Sequence, residues 1–244
     1  MNLLPYLLGA LAALLVGLSK TGLPGVSLPA ILLLIATLGD ARQANGVMLP
    51  VLLVADVFAV VWFRRHAQWD RLVWLFPAVI AGMVPGSVVL YCLPNKQLGP
   101  VIGWVVLIMV VLELCRQRLG WENVPRQWWF AGMMGFVAGF STIIAHAAMP
   151  VMTIYLLSQG MDKEKFIGTA AWFFFIVNLS KIPFYTATGL ITAETLHFDL
   201  FIAPVAIVGG LLGVTLLAHI PQKLFNTLAL ALAGAAAAML IVSW

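Results

Sequence analysis

Lys20 lies in Ser19-Lys20-Thr21-Gly22-Leu23-Pro24-Gly25, a polar, glycine-punctuated break between two apolar runs. An ammonium and two hydroxyls at that point, beside the free N–H groups and positive dipole end of a helix restarting near Val26, would suit a small oxyanion. Gly22 and Gly25 let the backbone turn without a Cβ penalty, and Pro24 removes a helix hydrogen bond. Two blander roles stay open for Lys20: its stem could snorkel to the headgroups, or its charge could pair with a buried carboxylate such as Asp56.

A second polar stretch, Ser141-Thr142-Ile143-Ile144-Ala145-His146, offers two hydroxyls and an imidazole. His146 could hold an anion when protonated and release it when neutral, or simply satisfy a backbone carbonyl in a tight turn. Asp56 is flanked by Val54, Ala55, Val57 and Phe58. A carboxylate so placed must carry a proton, find a partner or face water. It would repel an oxyanion, so its expected roles are proton carriage or a salt bridge to Lys20 or Lys181. In Asn178-Leu179-Ser180-Lys181-Ile182-Pro183, Asn178 and Lys181 are three apart and share a helical face, next to a proline that disrupts the helix. They read as a cavity-facing pair, with a snorkelling lysine as the alternative. The site residues expected to meet substrate are Ser19, Lys20, Thr21, Gly22, Gly25, Ser141, Thr142, His146, Asn178 and Lys181, with Asp56 and His146 available for proton or charge coupling.

The elements that carry these residues are membrane helices. Of the 244 residues, 63% are hydrophobic and 9% charged, against roughly 25% charged in soluble domains. No polar stretch is long enough to fold as a soluble domain. The net charge of +4 suits anchoring at anionic headgroups and a preference for anions. Apolar runs fall at Leu3–Leu18, Val26–Leu38, Val47–Phe63, Leu72–Leu93 and Val101–Leu114. They resume at Trp128–Phe140, Ala147–Leu157, Ile167–Ala187, Phe198–Leu217 and Leu224–Val242. Several are shorter than the ~20 residues a bilayer crossing needs, which points to broken or re-entrant helices. The first run has no preceding positive charge and reads as a retained helix.

Residues 1–115 and 128–244 form two five-segment halves about a cytoplasmic linker, 116–127. Gly17, Ser19, Asp40, Gly46 and Asp56 align with Gly139, Ser141, Asp162, Gly168 and Asn178 at an offset of 122; Gly86, Pro94 and Lys96 align with Gly213, Pro221 and Lys223 at 127. The extra residues fit a longer loop, Thr188–His197. If loops alternate between faces, one face collects Arg64, Arg65, Arg71, Arg116, Arg118, Arg126, Lys163, Lys165 and Lys223, and the other only Arg42 and Lys96. The first face is then cytoplasmic and both termini lie outside. An odd number of segments per half makes the second half an inverted copy, an all-α arrangement in which broken helices meet near the midplane around a substrate.

Arg64-Arg65-His66 with Trp69-Asp70-Arg71 reads as an interfacial anchor, and Trp121, Trp128 and Trp129 as an aromatic belt. Glu113 and Arg116 fit a local helix-end pair. Cys92 and Cys115 should lie near opposite faces, unbonded. No phosphate-cradling loop, HExxH or CxxC is present, so neither nucleotide nor metal nor cofactor is expected.

The ordered, duplicated pattern resembles the sulfite exporter TauE/SafE family of bacterial membrane permeases. It comprises Gly17-Leu-Ser-Lys-Thr-Gly-Leu-Pro-Gly25 with Pro29, Gly39-Asp-Ala-Arg-Gln-Ala-Asn-Gly46, and Arg64-Arg-His-Ala-Gln-Trp-Asp70 leading into Gly82-Met-Val-Pro-Gly86. The resemblance covers essentially the whole chain and implies export of sulfite or a small organosulfonate across the cytoplasmic (inner) membrane. The expected activity is secondary transport by alternating access, with proton coupling an option; a passive anion channel and an intramembrane enzyme using His146 and Asp56 are the alternatives. Expected partners are the small anion and the lipid bilayer, with a homodimer open and no nucleic acid.

Overall fold

The computed structural model describes residues 4–24, 26–39, 41–92, 128–146 and 148–242, with single residues 104, 107, 108, 111 and 114. The linker 116–127, Gly25, Asp40, Glu113, Cys115, Arg116 and Trp121 lie outside the described residues. Every element among those described is a helix: α1 (Leu4–Thr21), α2 (Leu28–Leu38), α3 (Ala41–Phe63), α4 (Trp69–Leu72), α5 (Leu75–Cys92), α6 (Trp128–Ala145), α7 (Ala148–Ser158), α8 (Lys163–Ala187), α9 (Ala193–His219) and α10 (Gln222–Val242). Five stretches are long and apolar enough to cross a membrane: Leu4–Thr21, Gln43–Phe63, Trp69–Val89, Lys163–Ala187 and Ala193–His219. Large apolar side chains stand outward along them, among them Val61, Val84 and Leu200, as a lipid-facing surface requires. Trp69, Trp74, Trp128 and Trp129 are also exposed.

Three helix ends differ from the sequence reading, and one expected interior disruption is absent. α1 runs through Ser19, Lys20 and Thr21 and breaks only at Gly22, so these side chains occupy the last helical turn instead of the loop. The Gly22 and Leu23 N–H groups both donate to the Leu18 carbonyl, closing the helix one turn later than the apolar run ends. α6 likewise passes through Ser141 and Thr142 and stops at His146, whose φ of 51° is a left-handed conformation unusual for a side-chain-bearing residue. α8 continues through Pro183, as membrane helices allow when neighbours satisfy the freed carbonyl. The expected loop Thr188–His197 is shorter, because Thr192 and Thr195 form a reciprocal capping box that starts α9 at Ala193.

The described chain divides into two units that interleave the two sequence halves: residues 1–67 with 167–221, and residues 68–166 with 222–244. In the first, α1 packs along α9 and both pack on α3, around Ala13, Val16, Val51, Ala55, Ile202 and Ala206. In the second, α5 packs along α6.

Both helix pairs are held close by glycine, and the contacts correspond. A Cβ on Gly17 would overlap the Ala206 carbonyl oxygen, and one on Gly139 the Val79 carbonyl oxygen. Gly209 faces the Leu14 carbonyl while Gly82 faces that of Phe136; Gly213 faces Leu18 while Gly86 faces Phe140. Each second contact is the first with its residues moved by the sequence offsets (139 − 17 and 206 − 79; 136 − 14 and 209 − 82; 140 − 18 and 213 − 86) and its halves exchanged. Gly82/Gly86 and Gly209/Gly213 are four apart, the small-residue spacing that lets membrane helices touch backbone to backbone.

A side chain at these positions must displace backbone, not a flexible neighbour. Gly17→Ala and Gly139→Ala should each destabilise the detergent-solubilised protein by about 1–3 kcal/mol. Gly132, where a Cβ would meet nothing within 4 Å, is the control: Gly132→Ala should raise stability by up to ~1 kcal/mol through helix propensity. Thermal unfolding of the three variants measures the contrast.

Candidate functional site

The first unit buries four polar side chains from three helices in one connected chain. Lys20 ends α1 with its ammonium 2.7 Å from Asp56 Oδ1 and 4.0 Å from the centre of the Phe174 ring. Asp56 lies in α3, fully buried among Leu52, Ala55 and Ala59. Its second oxygen accepts a hydrogen bond from Asn178 Nδ2 at 2.6 Å, and Asn178 Oδ1 accepts one from Lys181 Nζ at 2.9 Å. Phe174, Asn178 and Lys181 recur at helical spacing on one face of α8.

Burial dictates this connectivity. Lys20 is 4% exposed, Asp56 0%, Asn178 2% and Lys181 1%, so no member has bulk water to solvate it. An ionised group in such surroundings persists only when paired and hydrogen-bonded. Lys20 meets that condition through a charge-assisted contact on one side and an aromatic face on the other. Asn178 is suited to the middle because an amide donates and accepts, joining a carboxylate to an ammonium. Lys20 does not snorkel: of the alternatives open to it, the structure has the ion pair. The connected side chains include two lysines and one aspartate, so Lys181 has an amide and not a carboxylate as its neighbour in the chain.

The hydroxyls beside Lys20 differ from each other. Thr21 Oγ1 donates to the Gly210 carbonyl at 2.7 Å, with the Gly17 carbonyl at 3.3 Å, so its hydrogen ties α1 to α9. Ser19 is fully buried and its Oγ has no hydrogen-bond partner among the described residues, leaving a donor and lone pairs unused one residue from the ammonium. Gly22 sits in the turn after Thr21, where a Cβ would press on Gly213.

The second unit holds Ser141, Thr142 and His146 at the end of α6. Ser141 Oγ donates to the Val137 carbonyl at 2.8 Å, a bond to its own helix. Thr142 is buried, and the His146 N–H donates to the Thr142 carbonyl at 3.2 Å. α7 then begins at Ala148 and carries Thr153, buried and without a partner for its hydroxyl among the described residues. Elsewhere in this unit Arg71 Nη1 donates to Gln159 Oε1 at 3.1 Å, and Tyr155 Oη donates to the Arg71 carbonyl at 3.2 Å, fixing α4 to the end of α7.

Asp199, on α9, escaped the sequence reading. It is 3% exposed, and neither carboxylate oxygen has a hydrogen-bond partner among the described residues. The signal was an acid at the second position of the apolar run Phe198–Leu217, next to a run boundary where polar residues are expected.

Helices that expose apolar surface and bury an ion-paired, hydrogen-bonded chain of Lys, Asp and Asn are those of an integral membrane protein. The model of the family described as Sulfite exporter TauE/SafE matches residues 6–240, nearly the whole chain, and the protein belongs to that family of membrane transporters. Neither the curated proteins nor the solved structures gave a match.

Removing one charge should be worse than removing two. Asp56→Ala leaves the buried Lys20 ammonium without its carboxylate and should cost about 3–5 kcal/mol, whereas Lys20→Met with Asp56→Leu should recover most of that loss. A double-mutant cycle on thermal unfolding measures the coupling.

Proposed function

We propose that the protein is a secondary transporter exporting a small anion, sulfite or a small organosulfonate, across the bacterial cytoplasmic membrane. One observation carries the reading: two buried lysines share a single aspartate through Asn178, so the network favours a negatively charged guest. Lys181, Lys20 and the unused Ser19 hydroxyl supply the donors, and Asp56 balances part of the charge. This assigns Asp56 to charge compensation, since the empty site would otherwise leave the Lys20 ammonium without a carboxylate.

The matching glycine contacts support an inverted pair of repeats, residues 1–115 and 128–244, joined by the cytoplasmic linker. Parity supports it too: numbering rises together along α1 and α9, and along α5 and α6, as it must when those segments cross in the same direction. On this reading both termini are external, and the breaks after Thr21 and Ala145 are equivalent points of the two copies. By the sequence offset, Ser141, Thr142 and His146 fall at the corresponding break of the second half. Rocking of helices around these breaks would expose the anion to one side at a time.

Purified protein should be stabilised by sulfite or a short sulfonate and not by chloride at equal ionic strength, by about 2.7 kcal/mol at a hundredfold excess over Kd. Lys181→Met should abolish both that stabilisation and anion efflux from proteoliposomes while the unliganded protein still unfolds cooperatively. Undiminished efflux in this variant would remove the network from the transport path.

A further inference from the structure

We propose that Asp199 is a proton-binding site that couples ion flow to transport, separate from the Lys20–Asp56–Asn178–Lys181 network. The proposal rests on the transporter reading for its purpose, and on the surroundings of Asp199 for its chemistry.

Asp199 is the seventh residue of α9, roughly 9 Å along the axis from Ala193 at ~1.5 Å per residue. α9 packs against α1 and α3. The neighbouring Phe198 lies on Gly9 of α1 and stacks with Tyr6 at 5.0 Å, and Ile202 also faces Gly9. The other titratable and charged groups of these helices are accounted for. On α1, Tyr6 engages Phe198 and Phe201, and Lys20, near Gly213 through its neighbours, is paired to Asp56. On α3, Asp56 is held by Lys20 and Asn178; the side chain of Arg42 is outside those described. On α9 itself Glu194, His197 and His219 are exposed, and the His197 ring meets Phe201 edge-on at 5.3 Å. One turn before Asp199, Thr195 spends its hydroxyl on the capping box. No cation or donor reaches the Asp199 oxygens among the described residues.

A carboxylate without any partner cannot stay ionised in an apolar interior at tolerable cost, so the group is stable there only while it carries a proton. Releasing that proton demands a change in its surroundings, which is the property a coupling acid needs. The two buried carboxyls among the described residues of this unit thus divide the work: Asp56 keeps a fixed ammonium partner, and Asp199 has only the proton.

The fold does not require an acid here. The offset of 127 that superposes the glycine contacts of α5 and α9 carries Asp199 onto Leu72, which is itself fully buried. An apolar side chain fills the matching position of the other copy, so the carboxyl is an addition to the scaffold, placed against the stability of the apolar alternative.

The test has two independent readouts. Dicyclohexylcarbodiimide enters apolar sites and adds to a carboxyl only in its protonated form, leaving a stable acylurea that peptide mass spectrometry locates. The purified full chain should be labelled at Asp199 and not at Asp56, with the label lost in Asp199→Asn. Labelling of both acids alike, or of neither, overturns the proposal whatever the protein transports. In proteoliposomes loaded with sulfite and a pH-sensitive dye, efflux should move protons in the wild type; Asp199→Asn should lose proton movement and uphill accumulation while equilibrium exchange of labelled sulfite continues. Proton movement that survives in Asp199→Asn, or wild-type efflux that moves none or follows sodium instead, overturns it. Failure of every anion to exchange sinks the transporter reading alone, and the labelling result still decides Asp199. Asp199→Leu guards against misfolding: it should unfold at or above the wild-type temperature and behave as Asp199→Asn in flux.

Discussion

The contact between the Lys20 ammonium and the Asp56 carboxylate, 2.7 Å apart and out of reach of water, governs the first unit. Neither charge could be placed alone in this interior, and each restricts the helix that carries it. Lys20 must lie in the last turn of α1, close enough to α3 to reach Asp56. Asp56 then has one oxygen left, and that oxygen recruits Asn178 from α8. Asn178 in turn has an amide oxygen left, which recruits Lys181 from one turn further along the same helix. Three helices are tied in succession because each buried polar atom demands a partner. The ion pair is weak evidence of stability in itself; its weight is in the connectivity it forces.

Close helix packing makes that connectivity attainable. The Thr21 hydroxyl reaches the Gly210 carbonyl only because Gly17, Gly22 and Gly213 bring α1 and α9 to backbone contact. In hydrocarbon there is no solvent-driven gain from clustering apolar side chains, so helix association relies on such fitted surfaces and on interhelical hydrogen bonds. The glycines set the distance between helices, and the polar chain uses the distance so fixed.

Much of this was legible from residue types. Lys20, Asp56, Asn178 and Lys181 stand out because ionisable and amide groups are costly in apolar runs, and the pairing of Lys20 with Asp56 was among the options their burial allowed. The helical class follows from composition, since backbone groups in lipid must be satisfied within the segment. Helix ends were less legible. Hydropathy ends α1 at Leu18, whereas the backbone continues while its carbonyls find N–H partners, through Thr21; polar side chains do not terminate a helix that can bury them in pairs. Asp199 was missed because it sits next to the apparent boundary of its run, and only the Thr192–Thr195 capping box shows the helix starting six residues earlier. The partner of each hydroxyl was not legible at all, because nothing in the sequence separates Thr21, which bonds a backbone carbonyl on another helix, from Ser19, which bonds nothing among the described residues.

The offsets between the halves separate scaffold from chemistry. Glycines at close approaches match glycines: Gly17 with Gly139, Gly82 with Gly209, Gly86 with Gly213. The buried ionisable residues of the first unit do not. By the same offsets Lys20 corresponds to Thr142, Asp56 to Asn178, Lys181 to Ala59 and Asp199 to Leu72. In every pair one copy carries a titratable group and the other a neutral residue, and all eight positions are buried. Had Asn178 also been an aspartate, its carboxylate would face that of Asp56 and no longer donate to it. An amide at this position accepts from Lys181 and donates to Asp56 without adding charge. The glycines at close approaches thus match between the halves while the buried polar residues differ, and it is that difference which lets one aspartate serve two lysines through Asn178.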